Sequence, residues 1–283
     1  MRVVCLGTGT PEPWAPRASS GYLVETGNET LLLDCGGGVF DNLLRSGRMP
    51  GDVDRLLFSH LHSDHMIDYP RLAHARWDTG EGAALKVHGP APLAEITRRC
   101  FGPEGWLAHD LSARTELDGS KAVWLARGGA LPRPWPAPQV QEIGPGDVVE
   151  GDGWRATTCE VPHAQPWLTC MALRIDAGGR SVVYSGDAGP SADLEAMSAG
   201  ADLLIHWCYR FSDETVSDYI ADRSPLPADI AAMATRAGVR RLALTHLRVH
   251  MDTPQKRAQA LAEMRGAFEG DAVIAEDLME FDL

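Results

Sequence analysis

The chain has 283 residues, 44% of them hydrophobic and 23% charged, an ordinary globular composition with ample material for a core. Its formal charge of −13 argues against a polyanionic partner, since nucleic-acid binding asks for a basic patch and no Lys/Arg cluster stands out. No apolar run approaches the roughly 18 residues that span a bilayer, which argues against a membrane protein.

The N-terminal apolar stretch is too short for a signal peptide, and the six cysteines form no CxxC pair. The expected address is therefore the cytoplasm, with reduced, buried thiols. Residues 1–6 and 30–35 read as buried strands, each ending in a glycine-rich turn. A helix is expected over 39–47, then an apolar strand over 55–59 that runs straight into a histidine cluster. A short strand over 86–88 and a helix over 92–101 follow. Residues 102–146, rich in Gly, Pro and Trp, read as an irregular insertion or cap.

Regularity resumes with strands over 154–161, 172–176 and 181–185 and a helix over 191–199. A strand over 201–206, a helix over 227–238, a strand over 241–245, a helix over 254–268 and a strand near 272–275 complete the chain. With no repeat or linker, residues 1–283 are expected to form one domain. The pattern suits a layered α/β protein better than strict βαβ alternation.

The chemistry concentrates in His60-Leu61-His62-Ser63-Asp64-His65, directly after the 55–59 strand. Three imidazoles and a carboxylate in six residues suit zinc or a neighbouring transition metal and serve no apolar face. If the segment leaves the strand as a loop, His60 and His62 can reach one ion while Asp64 and His65 reach a second. His163, Asp187 and His246 each stand where an apolar strand ends, the usual rim of a site in layered α/β proteins. Singly each could be a turn residue or a cap. Together with the cluster they complete two sites and a shared carboxylate.

This order of residues resembles the metallo-β-lactamase superfamily, and within it the ribonuclease Z-like branch. The resemblance also rests on Leu6-Gly7-Thr8-Gly9-Thr10, Arg17-Ala18-Ser19-Ser20-Gly21, Leu33-Asp34-Cys35-Gly36, Tyr184-Ser185-Gly186-Asp187 and Leu244-Thr245-His246. It implies an αββα sandwich, two mixed sheets flanked by helices, with the site at one edge of both sheets. It implies two divalent ions, zinc first, manganese or iron as alternatives. His60, His62 and His163 would hold one, Asp64, His65 and His246 the other, and Asp187 would bridge them. Asp34 would orient a ligand histidine, and a homodimer is in keeping with the family.

Two departures bear on substrate. Ribonuclease Z enzymes carry a His-Glu-Ala-Thr element where this chain has His206-Trp207-Cys208-Tyr209. They also carry a His-Ser-Thr element where it has Arg223-Ser224-Pro225. No basic arm is found. These losses turn the expectation toward a small aromatic or cyclic substrate, a lactone, ester, phosphodiester or a halide cleaved hydrolytically. Asp64 and His206 are the expected catalytic residues, and Trp167, Trp207 and Tyr209 the expected substrate contacts. Trp106, Trp124, Trp135, Trp77 and Tyr69 are further candidates for an aromatic wall. The alternatives are a ribonuclease Z-like phosphodiesterase and a non-catalytic metal-binding or sensing protein.

Overall fold

The computed structural model describes residues 1–80 and 84–283. In the first half, β1 (Arg2–Gly7), β2 (Gly21–Glu25), β3 (Thr30–Leu33), β4 (Arg55–Leu57), β5 (Lys86–Gly89) and β6 (Gln139–Glu142) build one sheet. The second comprises β7 (Val148–Gly151), β8 (Trp154–Glu160), β9 (Met171–Ala177), β10 (Arg180–Tyr184), β11 (Leu203–Trp207), β12 (Arg241–Thr245) and β13 (Asp271–Ile274). The last strand, β14 (Glu280–Asp282), returns to the first sheet. The orders are β14-β1-β2-β3-β4-β5-β6 and β13-β12-β11-β10-β9-β8-β7. Antiparallel pairing gives way to parallel at β3–β4 in one sheet and at β10–β11 in the other.

Alternation along each strand sorts side chains into layers. Leu31, Leu33, Leu57, Val182, Tyr184, Leu203 and Ile205 meet between the sheets. Leu32 and Leu56 turn outward, against α1 (Val39–Arg45), α3 (Tyr69–Thr79) and α4 (Leu93–Phe101). Val183, Leu204 and Leu242 turn outward on the other side, against α7 (Ala192–Met197), α9 (Pro227–Arg236) and α10 (Pro254–Arg265). Helix, sheet, sheet, helix is the αββα sandwich expected. The six cysteines are all free thiols, five of them buried, and among the described residues no helix is long and apolar enough to cross a membrane.

Three local readings are corrected. Residues 102–146 are not irregular, since they contain α5 (Ala108–Glu116) and α6 (Asp118–Ala126) besides β6. Those helices hid because α5 buries only Leu111 and Thr115 and α6 buries nothing. Helix α3 was not anticipated, because Arg76 stands on its buried face, where an apolar residue would carry the period. Its guanidinium donates to the carbonyls of Pro50, Gly51 and Val53. Strands β2, β7 and β14 were missed as well.

Candidate metal centre

Every predicted ligand follows the C-terminal end of a strand: residues 60–65 after β4, His163 after β8, Asp187 after β10 and His246 after β12. Because these strands lie in two facing sheets, their ends converge. The turn carrying His62–His65 forms the short helix α2 (Ser63–Met66). It lies against Gly36 so closely that a Cβ there would stand 2.0 Å from the Asp64 carbonyl oxygen, and the Cys35 N–H donates to the His65 carbonyl at 2.7 Å. Asp34 and His246 both take left-handed backbone, at φ 57° and 62°, a conformation that carries strain outside glycine and collects at functional sites.

The seven side chains come together. His60 Nε2 and His163 Nε2 lie 3.0 and 3.2 Å from His62 Nδ1. On the other side, Asp64 Oδ2 lies 3.5 Å from His65 Nε2 and 3.2 Å from His246 Nε2. Asp187 spans the two groups, Oδ1 at 3.4 Å from His65 Nε2 and Oδ2 at 3.3 and 3.6 Å from the Nε2 atoms of His246 and His163. Ligand atoms placed tetrahedrally at 2.0–2.1 Å around an ion are about 3.4 Å apart. His65 Nε2 is moreover buried without a hydrogen-bond partner among the described residues, a costly arrangement unless a cation answers it. The groups His60, His62, His163 and Asp64, His65, His246 are each compact enough to hold a metal ion.

The ring orientations are set from behind. Asp34 Oδ2 accepts from His65 Nδ1 at 2.7 Å, from the Ser59 hydroxyl at 2.7 Å and from the Tyr184 hydroxyl at 2.8 Å. With its hydrogen spent on Asp34, the Ser59 oxygen receives the Nδ1–H of His60 at 3.0 Å. Both rings therefore carry their proton on Nδ1 and aim Nε2 at the site. Asp34 was anticipated; Ser59 and Tyr184 were not. Gln165 was missed too, although its Oε1 takes the His163 N–H at 2.8 Å and its Nε2 donates to Val161 O at 2.8 Å.

Electrostatics follow burial. Desolvation holds His60 well below the ordinary imidazole range and lowers His62 and His163 as well. For His65 burial also pulls down, but Asp187 and Asp34 outweigh it and raise the ring well above that range. Burial works against ionising Asp187 and Asp64, yet the facing histidines, His246 above all, keep both carboxylates below the usual range. His62 and His163 are only half-buried, so the cluster opens on their side.

The remaining predicted residues are placed differently. His206 turns away from the cluster: on β11 it shares a face with Leu204, toward the helices, while Trp207 shares the inter-sheet face with Leu203 and Ile205. The expectation of a catalytic His206 fails for this reason of strand alternation. Trp207 is buried, its ring packed against His163 and His246, and its indole N–H donates to His246 Nδ1 at 3.1 Å. Tyr209 packs against Trp207 with the ring planes tilted by 32° and lies under Arg248. Trp167 stands in the His163 loop, 89% exposed.

The other aromatic candidates belong to the helix layer. Trp77 and Trp124 sandwich Arg133 at 3.7 and 4.3 Å, and with Trp135 they line a cavity of about 300 Å³ that none of the seven ligands reaches. Tyr69 is fully buried, with its hydroxyl on Thr97. Trp106 is 68% exposed, beside α4.

Comparison with known proteins agrees with this architecture. The family model described as "Metallo-beta-lactamase superfamily" matches residues 14–234. The protein named ribonuclease Z of Mycobacterium avium (strain 104) is 32% identical over 281 residues, covering 95% of each chain. Among solved structures, the metallo-beta-lactamase fold protein YhfI from Bacillus subtilis superposes with a TM-score of 0.73 at 24% identity, over 99% of both chains. The short form of human tRNase Z gives 0.66 at 19% identity, over 100% of this chain and 99% of that one.

Proposed function

The chain belongs to the metallo-beta-lactamase superfamily of hydrolases, and on that premise we propose that it hydrolyses phosphodiester bonds, with RNA the first substrate class to test. The observation that carries this reading is Asp187, whose two oxygens face the histidines of both candidate ion sites within 3.6 Å. His60, His62 and His163 would hold one divalent cation, Asp64, His65 and His246 the second, with Asp187 between them. The imidazole and carboxylate donors suit zinc first, then manganese or iron. Cations in such a cage supply acidified water, its pKa brought from about 15.7 toward about 7, and charge neutralisation.

The chain's own groups do the rest. Asp64, ionised at neutral pH, would accept a proton from water and pass it on. Asp34, Ser59 and Tyr184 hold the ligand rings in one tautomer, which removes a reorganisation cost at the moment of reaction. The backbone of Arg223 packs against Gly189, two residues beyond Asp187. Its guanidinium stacks on Tyr219 at 3.9 Å and has no carboxylate partner among the described residues, leaving a cation available for a phosphate. The ribonuclease Z relatives support RNA as that phosphate's source, against the expectation from net charge.

A second reading, a small aromatic or cyclic substrate, is favoured by Trp207. It sits beside two candidate ligands at the position where the resembled branch has glutamate. The test is turnover by the zinc- or manganese-loaded protein of a 3′-extended tRNA precursor, bis(p-nitrophenyl) phosphate and a lactone panel. Cleavage of the precursor supports the first reading, and lactone turnover with neither phosphodiester cut overturns it.

A further inference from the structure

On the helix-covered face of the second sheet, behind the candidate ligands, lies a cavity of about 430 Å³ that the chemistry above leaves unused. The 189–192 turn, α7 and α9 enclose it, and Leu194, Ile230 and Met233 give it apolar walls. His206 stands at its inner end, 2% exposed. The His206 Nδ1 lies 2.7 Å from the Trp207 carbonyl oxygen. A carbonyl only accepts, so Nδ1 carries the ring hydrogen. Burial pulls this imidazole down to about 4, and at neutral pH its Nε2 is a bare lone pair. That nitrogen makes no hydrogen bond to the described residues.

The donors nearby are mostly spent. Pro190 and Pro225 have no N–H, the Gly189 N–H is on Pro162 O at 2.8 Å, and Arg236 is turned to Glu195 at 2.9 and 2.7 Å. Asp229, on the exposed rim, uses one oxygen for the Leu226 N–H at 3.1 Å, and its other oxygen has no partner among the described residues. An unanswered acceptor inside, an open carboxylate at the mouth and apolar walls between them describe the complement of an organic cation. We propose that this cavity binds a small alkylammonium compound, its N–H donated to His206 Nε2, its hydrocarbon against Leu194, Ile230 and Met233, and its charge attracted by Asp229.

The site is independent of the reaction at the cluster, so its test needs no turnover. The whole protein, labelled with ¹⁵N-histidine, is titrated at neutral pH with cyclohexylammonium and, as a size-matched anion, cyclohexanecarboxylate. The expected result is a saturable shift of the His206 Nε2 resonance with a Kd of about 1 mM for the cation and none for the anion. Asp229→Asn, which keeps an oxygen for the Leu226 N–H, weakens the cation by about two- to fivefold. His206→Phe abolishes binding, and because that buried change can also unfold the chain, the rim variant stands as the independent measurement. No saturable shift, equal binding of the carboxylate, or undiminished affinity in Asp229→Asn overturns the proposal.

Discussion

Asp34 Oδ2 lies 2.7 Å from His65 Nδ1, and through this contact a residue that faces no substrate decides which nitrogen of His65 is free for a cation. The same oxygen reaches His60 through the Ser59 hydroxyl, so one carboxylate sets a ring in each of the two candidate ion sites. Asp34→Asn suits the position, because Asn tolerates the left-handed backbone that Asp34 adopts. Its amide can donate where the carboxylate only accepted, which disturbs both rings. Metal affinity is expected to fall about 10- to 100-fold with the fold retained. Competition against a chromogenic chelator measures it, and unchanged affinity would falsify the orienting role.

Asp187→Ala and His62→Ala are expected to bring turnover to background while the circular dichroism spectrum stays native. Asp187 faces three histidines across both groups, so its loss is expected to take bound metal from about two equivalents to one or fewer. Metal analysis of purified protein reads this directly. Full activity in either variant would contradict the two-site reading.

Gly36→Ala tests the close approach of the loop that carries the candidate ligands. The new Cβ would stand 2.0 Å from the Asp64 carbonyl oxygen, so α2 must move and take Asp64 and His65 with it. The expected cost is about 1–3 kcal/mol of stability, together with weakened metal binding. Denaturant midpoints at wild-type values would show that the loop yields more easily than the geometry implies.

The metal-free protein should lose stability on acidification. Burial lowers His60, His62 and His163, and takes His88 and His206 to about 4. In the unfolded chain all five titrate at about 6.5, so between about pH 6.5 and 4 the unfolded state binds protons that the folded state refuses, and stability falls as pH drops. His65 works in the opposite sense. Burial lowers it, but Asp187 and Asp34 raise it further, so its contribution is full below about 6.5 and fades as pH rises through its folded value. Asp187, depressed in the fold, keeps its contribution across this window, above about 3.9. Urea midpoints of chelator-treated protein should therefore decrease steadily into acid, and a flat profile would refute the burial argument.

The amino-acid sequence alone determined the layered architecture and singled out the seven candidate ligands. His60, Asp187 and His246 are each the first strong metal donor after an apolar run, and a strand's end is a local property that a short window reveals. What lay beyond it were relationships between distant positions. Asp34 meets Tyr184 across 150 residues, and nothing near either residue announces the other. Helix α3 was concealed because a guanidinium on its buried face satisfies carbonyls of another segment. Most telling are the neighbours His206 and Trp207, since only the pairing of β11 within its sheet decides which of them faces the candidate ligands and which the helices. A shift of one residue would exchange them, because side chains alternate with period two and register is set by the packed tertiary structure.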